Sequence, residues 1–190
     1  YEKIVISSVV PSQDFLFEDH KNVVFVSHGN IPRLKLNLKI KSQVGADRLV
    51  NALAAFDLTG GPCIVVDSGT AVTFCYVDEK GIYQGGAIFP GMGISSKALQ
   101  LYTAKIPLIQ VEKQKNNLGK TTKEAVQVGL YFGFIHLING MIAAYKKQFP
   151  NLAVIGTGQG LEVLKDSLDL DEFVPDLIFR GLKICYNECR

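Results

Sequence analysis

Residues 63 to 74 read Cys63-Ile64-Val65-Val66-Asp67-Ser68-Gly69-Thr70-Ala71-Val72-Thr73-Phe74. Two apolar, β-branched runs flank a small polar turn, which is the pattern of two strands joined by a tight connection. A third run from Gly81 to Phe89 extends them to a three-strand meander. Pro90-Gly91-Met92-Gly93 then leads into Ile94-Ser95-Ser96-Lys97-Ala98-Leu99, where Ser95 or Ser96 is placed to cap a helix. The order strand, strand, strand, helix marks an α/β protein.

The turn inside this stretch carries chemistry. At Asp67-Ser68-Gly69-Thr70 the glycine removes a side-chain barrier, and the turn amides and the Thr70 hydroxyl can donate to phosphate oxygens. Asp67 can hold a cation, directly or through water. The same residues also suit a plain hairpin turn, where Asp, Ser and Gly serve conformation alone.

Upstream, residues 3 to 10 read as a buried strand and Val23 to Val26 as a second, with Pro11 and an acidic segment around Asp14 and Glu18 between them. Leu34, Leu36, Leu38 and Ile40 alternate as in a half-buried strand or extended loop. Gly45-Ala46-Asp47-Arg48 opens a helical run in which Leu49, Ala52, Leu53 and Phe56 share one face. Asp47 and Arg48 therefore sit in a first helical turn, where a carboxylate is favoured by the helix dipole whether or not it does chemistry. The chain opens at Tyr1, at the very edge of an apolar strand, so further residues are expected ahead of it.

Downstream, Thr121-Thr122-Lys123-Glu124 has the form of a capping box ahead of one long apolar helix from Ala125 to Ala144. Gly129, Gly133 and Gly140 cost that helix propensity and point to close packing against another element. Gln127, His136 and Asn139 interrupt it, which argues against a membrane span, and His136 reads as a core or interface residue. A short strand, Leu152 to Ile155, runs into Gly156-Thr157-Gly158-Gln159-Gly160, followed by a helix-like Leu161 to Leu168 and a closing helix from Arg180 to Tyr186. Strand, glycine turn, helix is a frequent nucleotide-site layout, although glycines also simply permit tight turns.

Composition narrows the function class. With 190 residues, 47% hydrophobic and 20% charged, the chain has the material for one good core. A net charge of +2 with no basic tract beyond Lys35, Lys39 and Lys41 speaks against nucleic acid or an anionic membrane surface as partner. No secretory leader opens the chain, so a soluble, cytoplasmic protein is expected. Cys63 and Cys75 lie in apolar runs, and Cys185 with Cys189 match no common zinc spacing; all four read as reduced structural thiols.

Taken together, an Asp-x-Gly-Thr hairpin, a third strand, a helix and a late Gly-Thr-Gly-x-Gly turn resemble one half of the actin-like ATPase fold. The likeness becomes specific over Val44-Gly45-Ala46-Asp47-Arg48-Leu49-Val50-Asn51-Ala52, Val66 to Ala71, Gly85-Gly86-Ala87-Ile88-Phe89-Pro90-Gly91 and Gly119-Lys120-Thr121-Thr122-Lys123-Glu124-Ala125. In order and spacing these four segments resemble type III pantothenate kinase, and Ile6-Ser7-Ser8-Val9-Val10-Pro11 also fits that family. The resemblance implies an actin-like (ribonuclease H-like) fold with mixed sheets and flanking helices and an incomplete first half. Residues 1–55 would be the remainder of the N-terminal half and 56–190 the C-terminal half.

It also implies transfer of the ATP γ-phosphate to pantothenate, the first step toward coenzyme A. Asp47 would be the base, and Gly45, Ala46, Asp47, Arg48 and Thr122 would contact pantothenate. Arg48 would face the pantothenate carboxylate or the developing phosphate charge. Ser68, Gly69 and Thr70 would contact ATP, and Asp67 a monovalent cation, K+ or NH4+, beside Mg2+. A homodimer with the substrate site at its interface completes the expectation. Two features depart from the family pattern: its Asp-x-Gly-Asn-Thr phosphate loop has no counterpart here, and Leu38-Lys39-Ile40-Lys41 stands where the family has a tyrosine and a proline. A non-catalytic accessory relative and another actin-like small-molecule kinase or phosphatase are the competing readings.

Overall fold

The computed structural model describes residues 2–17 and 19–189, so Tyr1, Glu18 and Arg190 lie outside the described residues. Strands β1 (Ile4–Ile6) and β2 (Val23–Phe25) pair in parallel, Ile4 opposite Val23 and Ile6 opposite Phe25. Six further strands form one sheet: β3 (Lys35–Leu36), β4 (Cys63–Ser68), β5 (Ala71–Val77), β6 (Ile82–Pro90), β7 (Ala153–Thr157) and β8 (Glu172–Phe173). Their order is β3-β6-β5-β4-β7-β8. The centre is thus the expected meander, whose short connections only antiparallel neighbours allow. At the two edges β3 pairs in parallel with β6, and β8 with β7. Helices α1 (Ala46–Thr59), α2 (Met92–Tyr102), α3 (Thr122–Gln148) and α4 (Leu177–Glu188) complete a mixed α/β architecture.

The chain divides into two compact units, each built from separated segments. The first comprises Tyr1–Val65, Cys75–Gly86 and Asp176–Arg190. Its core is the apolar face of α1, where Leu49, Val50, Ala52 and Leu53 have no exposed surface. Against that face lies α4, closely enough that a Cβ on Gly181 would stand 2.6 Å from the Val50 side chain. Gly60 ends α1 in the left-handed region at φ 63°, its N–H donating to Phe56 O, as helix C-termini favour.

The second unit comprises Val66–Phe74 and Ala87–Pro175. Leu130, Tyr131, Phe134, Ile138 and Ile142 form the buried face of α3. Phe134 meets Phe89 edge-on at 6.1 Å, and Phe74 stacks on Tyr145 at 6.3 Å. The capping box is present: Thr121 accepts from Glu124 N, and the Glu124 carboxylate accepts from Lys120 N at 2.8 Å. By length and composition α3 alone among the described helices is long and apolar enough to cross a membrane, but a buried core helix passes the same test.

Several local expectations are corrected. The strand expected over residues 3 to 10 is only Ile4–Ile6 and is half-buried, because its partner Val23–Phe25 is equally short, and Pro11 then starts a 3-10 helix through Phe17. The alternation from Leu34 to Ile40 yields only Lys35–Leu36 as strand. Neither Ser95 nor Ser96 caps α2: Gly91 is its N-cap, and the Ser96 hydroxyl lies buried, donating to Ile109 O at 2.7 Å and accepting from Ile109 N at 2.8 Å. Leu161 to Leu168 is not a helix but two 3-10 turns, Gln159–Leu161 and Lys165–Ser167. His136 is exposed, so it is no core residue of this chain. All four cysteines are buried and none forms a disulfide.

Candidate active site

In the second unit, β4 delivers Asp67 and Ser68 to a turn closed by Gly69 N donating to Ala71 O at 2.9 Å. Glycines from two distant segments press onto this turn. Gly91 N donates to Thr70 O at 3.0 Å, and a Cβ on Gly91 would stand 2.6 Å from that oxygen. A Cβ on Gly158 or Gly160 would stand 2.5 or 2.8 Å from Ser68 O, well inside contact distance. Gly158 also has φ 90°, which L side chains rarely adopt. The glycine turn after β7 is therefore a lid of bare backbone over Asp67 and Ser68.

Ser68 is fully buried beneath that lid, and its Oγ has no hydrogen-bond partner. Gly69 and Thr70, by contrast, are exposed. They line a pocket of about 790 Å³ together with Met92, Gly93, Gln159 and Gly160. Bare glycine backbone, an exposed hydroxyl and amide groups form the kind of wall that accepts phosphate oxygens. Asp67 and Ser68 present only oxygens, so a hard cation is the ion this turn can hold. No group of three or more His, Cys, Asp and Glu side chains is gathered for a metal among the described residues, so main-chain and phosphate oxygens would complete any shell.

In the first unit, Gly45 is the N-cap of α1, and Asp47 and Arg48 fall in its first turn as expected. The Asp47 carboxylate accepts from Arg48 N at 2.7 Å, and any side chain at Gly45 would strike Asp47 Oδ1. Ala46 is buried, which anchors the turn, while Asp47 and Arg48 are half-buried. Arg48 Nε donates to Cys75 Sγ at 3.3 Å, and its guanidinium lies 6.0 Å from the Tyr83 ring centre. Burial opposes the Arg48 charge, but Cys75, then Tyr83 and Asp47, more than offset it, and its pKa lies above the ordinary arginine value. Burial, then Cys75, push the Tyr83 phenol well above its usual range, so it remains a donor.

Thr122 is the first, exposed residue of α3. Its neighbour Thr121 lines a second pocket of about 420 Å³ with Ile109, Gln110, Glu124 and Gln127. The fold makes three further residues notable: Tyr83, which carries no sequence signal, Cys75, which reads from sequence only as a structural thiol, and Gln127, which reads only as an interruption of the long helix. The Gln127 side chain is buried with an unpartnered Oε1. Only an uncharged polar residue on the buried face of a helix signals it in sequence, and nothing local signals that Cys75 and Tyr83 meet Arg48.

The family model of type III pantothenate kinase matches residues 1–144. A type III pantothenate kinase of Listeria innocua serovar 6a is 40% identical over 192 residues, covering 97% of this chain and 74% of the relative. That of Listeria welshimeri serovar 6b is 41% identical over 197 residues, with the same coverage of 97% and 74%. A solved Campylobacter jejuni protein, described as a Baf family transcriptional activator, superposes with a TM-score of 0.70 over 99% of this chain and 83% of its own. At 23% identity that likeness concerns the fold alone.

Proposed function

Since the chain belongs to the type III pantothenate kinase family, and so to the ATP-dependent kinases acting on pantothenate, we propose roles for its residues in that transfer. Asp47 takes the proton of the attacking hydroxyl. Arg48 grips an anionic group, in the first place the pantothenate carboxylate. Gly45 and Ala46 bring their main chain to the substrate, and Thr122 adds a hydroxyl. Ser68, Gly69 and Thr70 receive the phosphates of ATP, while Asp67 holds a monovalent cation, K+ or NH4+. When bound, ATP supplies the γ-phosphoryl group, and Mg2+ rides on its phosphate oxygens. Such transfers depend mostly on positioning and charge neutralisation, which is what these residue types provide.

The observation that carries the ATP assignment is the glycine lid. Three glycines from two segments are fitted against the backbone of the Asp67–Thr70 turn, beside a pocket wide enough for a nucleotide. A tight turn needed only for a hairpin has no use for that lid. The actin-like fold, with residues 1–55 and 56–190 as parts of its two halves, belongs to the same proposal, supported by the ordered motifs.

A homodimer also belongs to it. Gly129, Gly133 and Gly140 of α3 have nothing within 4 Å of an added Cβ, so packing within the chain does not account for them. Close approach of a second copy does. A cytoplasmic setting is supported by four cysteines without a disulfide.

The test is ADP release with ATP, Mg2+, K+ and pantothenate, together with calorimetric binding of pantothenate. Asp47→Asn is expected to lower kcat by at least about 100-fold while leaving pantothenate binding nearly intact, the signature of a lost general base. Turnover unchanged in Asp47→Asn removes the base assignment. Pantothenate failing to bind at all favours a non-catalytic relative.

A further inference from the structure

Among the described residues the side-chain hydrogen bond of the Arg48 guanidinium runs not to a carboxylate but to a sulfur. The Nε–H donates to the sulfur of Cys75 on β5, and the Tyr83 hydroxyl on β6 donates to the same sulfur, each at 3.3 Å. Cys75 is 1% exposed and Tyr83 not at all, so water reaches neither the sulfur nor the phenol. The Tyr83 ring also lies beneath the guanidinium at 6.0 Å, within the range of a cation–π contact. Arg48 is thereby fixed on one edge by an acceptor and on one face by a ring. A planar guanidinium held on its Nε edge has its remaining donors set in direction, the condition for gripping a carboxylate with two parallel bonds.

A cysteine in an apolar strand ordinarily does no more than fill space. Here it sits where two donors converge. A side chain chosen only for volume would leave Nε–H and a buried phenol without an acceptor, and unpaired buried donors are costly. We propose that Cys75 and Tyr83 are positioning residues for the kinase reaction, holding the Arg48 guanidinium in the orientation that receives the carboxylate of the acceptor substrate. This rests on the reading of Arg48 as the carboxylate grip.

The experiment is a variant cycle read as pantothenate Kd by calorimetry, with kcat and KM alongside. Cys75→Ala removes the acceptor and is expected to raise pantothenate Kd about fivefold to tenfold, with kcat at saturation within about twofold. Cys75→Ser restores an oxygen acceptor and recovers part of the loss. Tyr83→Phe, which keeps the ring, costs about twofold to threefold. The decisive arm is coupling: in an Arg48→Lys background, Cys75→Ala costs little more, because the group it positioned is gone. A merely structural cysteine gives the same loss in both backgrounds.

The two readings fail differently. If Arg48→Lys itself leaves pantothenate Kd unchanged, the assignment of Arg48 fails. If Arg48→Lys weakens binding but Cys75→Ala and Tyr83→Phe do not, or their losses simply add to it, the positioning role is overturned. Should Cys75→Ala not fold, Cys75→Ser and Tyr83→Phe carry the same comparison, and unchanged binding in both overturns the proposal.

Discussion

Single atoms decide how the Asp67–Thr70 turn is packed. A methyl group at position 158 meets the Asp67 carboxylate and Ser68 O at once, on a backbone whose φ of 90° already excludes most side chains. Gly158→Ala is therefore expected to destabilise the fold by about 1–3 kcal/mol and to weaken ATP binding at least about tenfold. Gly61→Ala, where an added Cβ meets nothing within 4 Å, is the control and should leave both within error. Thermal melts and ATP titration of the two variants make the comparison. Equal, negligible effects would show that neither stability nor ATP binding depends on the glycine at 158.

At the scale of elements, the β5–β6 connection shows how one carboxylate sets a turn. Asp78 accepts from Lys80 N and Ile82 N, each at 2.9 Å, and from the Gln84 amide at 2.7 Å, while Gly81 turns the chain at φ 71°. Partial burial works against the charge, but these donors outweigh it and hold the carboxyl below its usual pKa. A lowered folded-state pKa means a contribution present above the ordinary carboxylate pKa and lost as pH falls through the lower, folded value. Asp78→Ala is expected to cost about 1–2 kcal/mol at neutral pH. Asp78→Asn, which keeps one acceptor and loses the charge, should cost less and flatten the acid side of the melting profile below about pH 4. An unchanged acid limb in Asp78→Asn would show that the turn gains nothing from ionisation.

The same scale explains most of the sequence reading. The meander, the opening turn of α1 and the Thr121–Glu124 box were legible because each depends on neighbours in the chain: alternation, a glycine at a turn, a cap at its fixed spacing. Ser96 was misread for the complementary reason. Its hydroxyl has the right chemistry for a cap, but the distant Ile109 main chain claims it. Leu161 to Leu168 carries helical apolar spacing, yet folds as separate 3-10 turns.

For the whole molecule, the exposed glycines of α3 set the sharpest test. Each glycine costs a helix about 1 kcal/mol relative to alanine, so Gly133→Ala on a face open to water should raise stability by about that amount. If a second copy packs there, the same substitution should lower stability and weaken association. The protein is expected to sediment at twice the chain mass, and Gly133→Ala to shift it toward monomer at low concentration. A monomeric protein stabilised by Gly133→Ala would rule out that face as an interface.

The sequence by itself determined the α/β class, the meander, the placement of Asp47 and Arg48 at a helix start and the Asp67–Thr70 turn, together with the family these motifs mark. All are local patterns, fixed by residues within a few positions of each other. Tertiary structure alone decided what those residues touch: the glycines of Gly158 and Gly160 closing over Ser68, and Cys75 and Tyr83 converging on Arg48. Those contacts join segments far apart in the chain, and side-chain spacing along a strand or helix carries no information about which distant backbone will arrive against it.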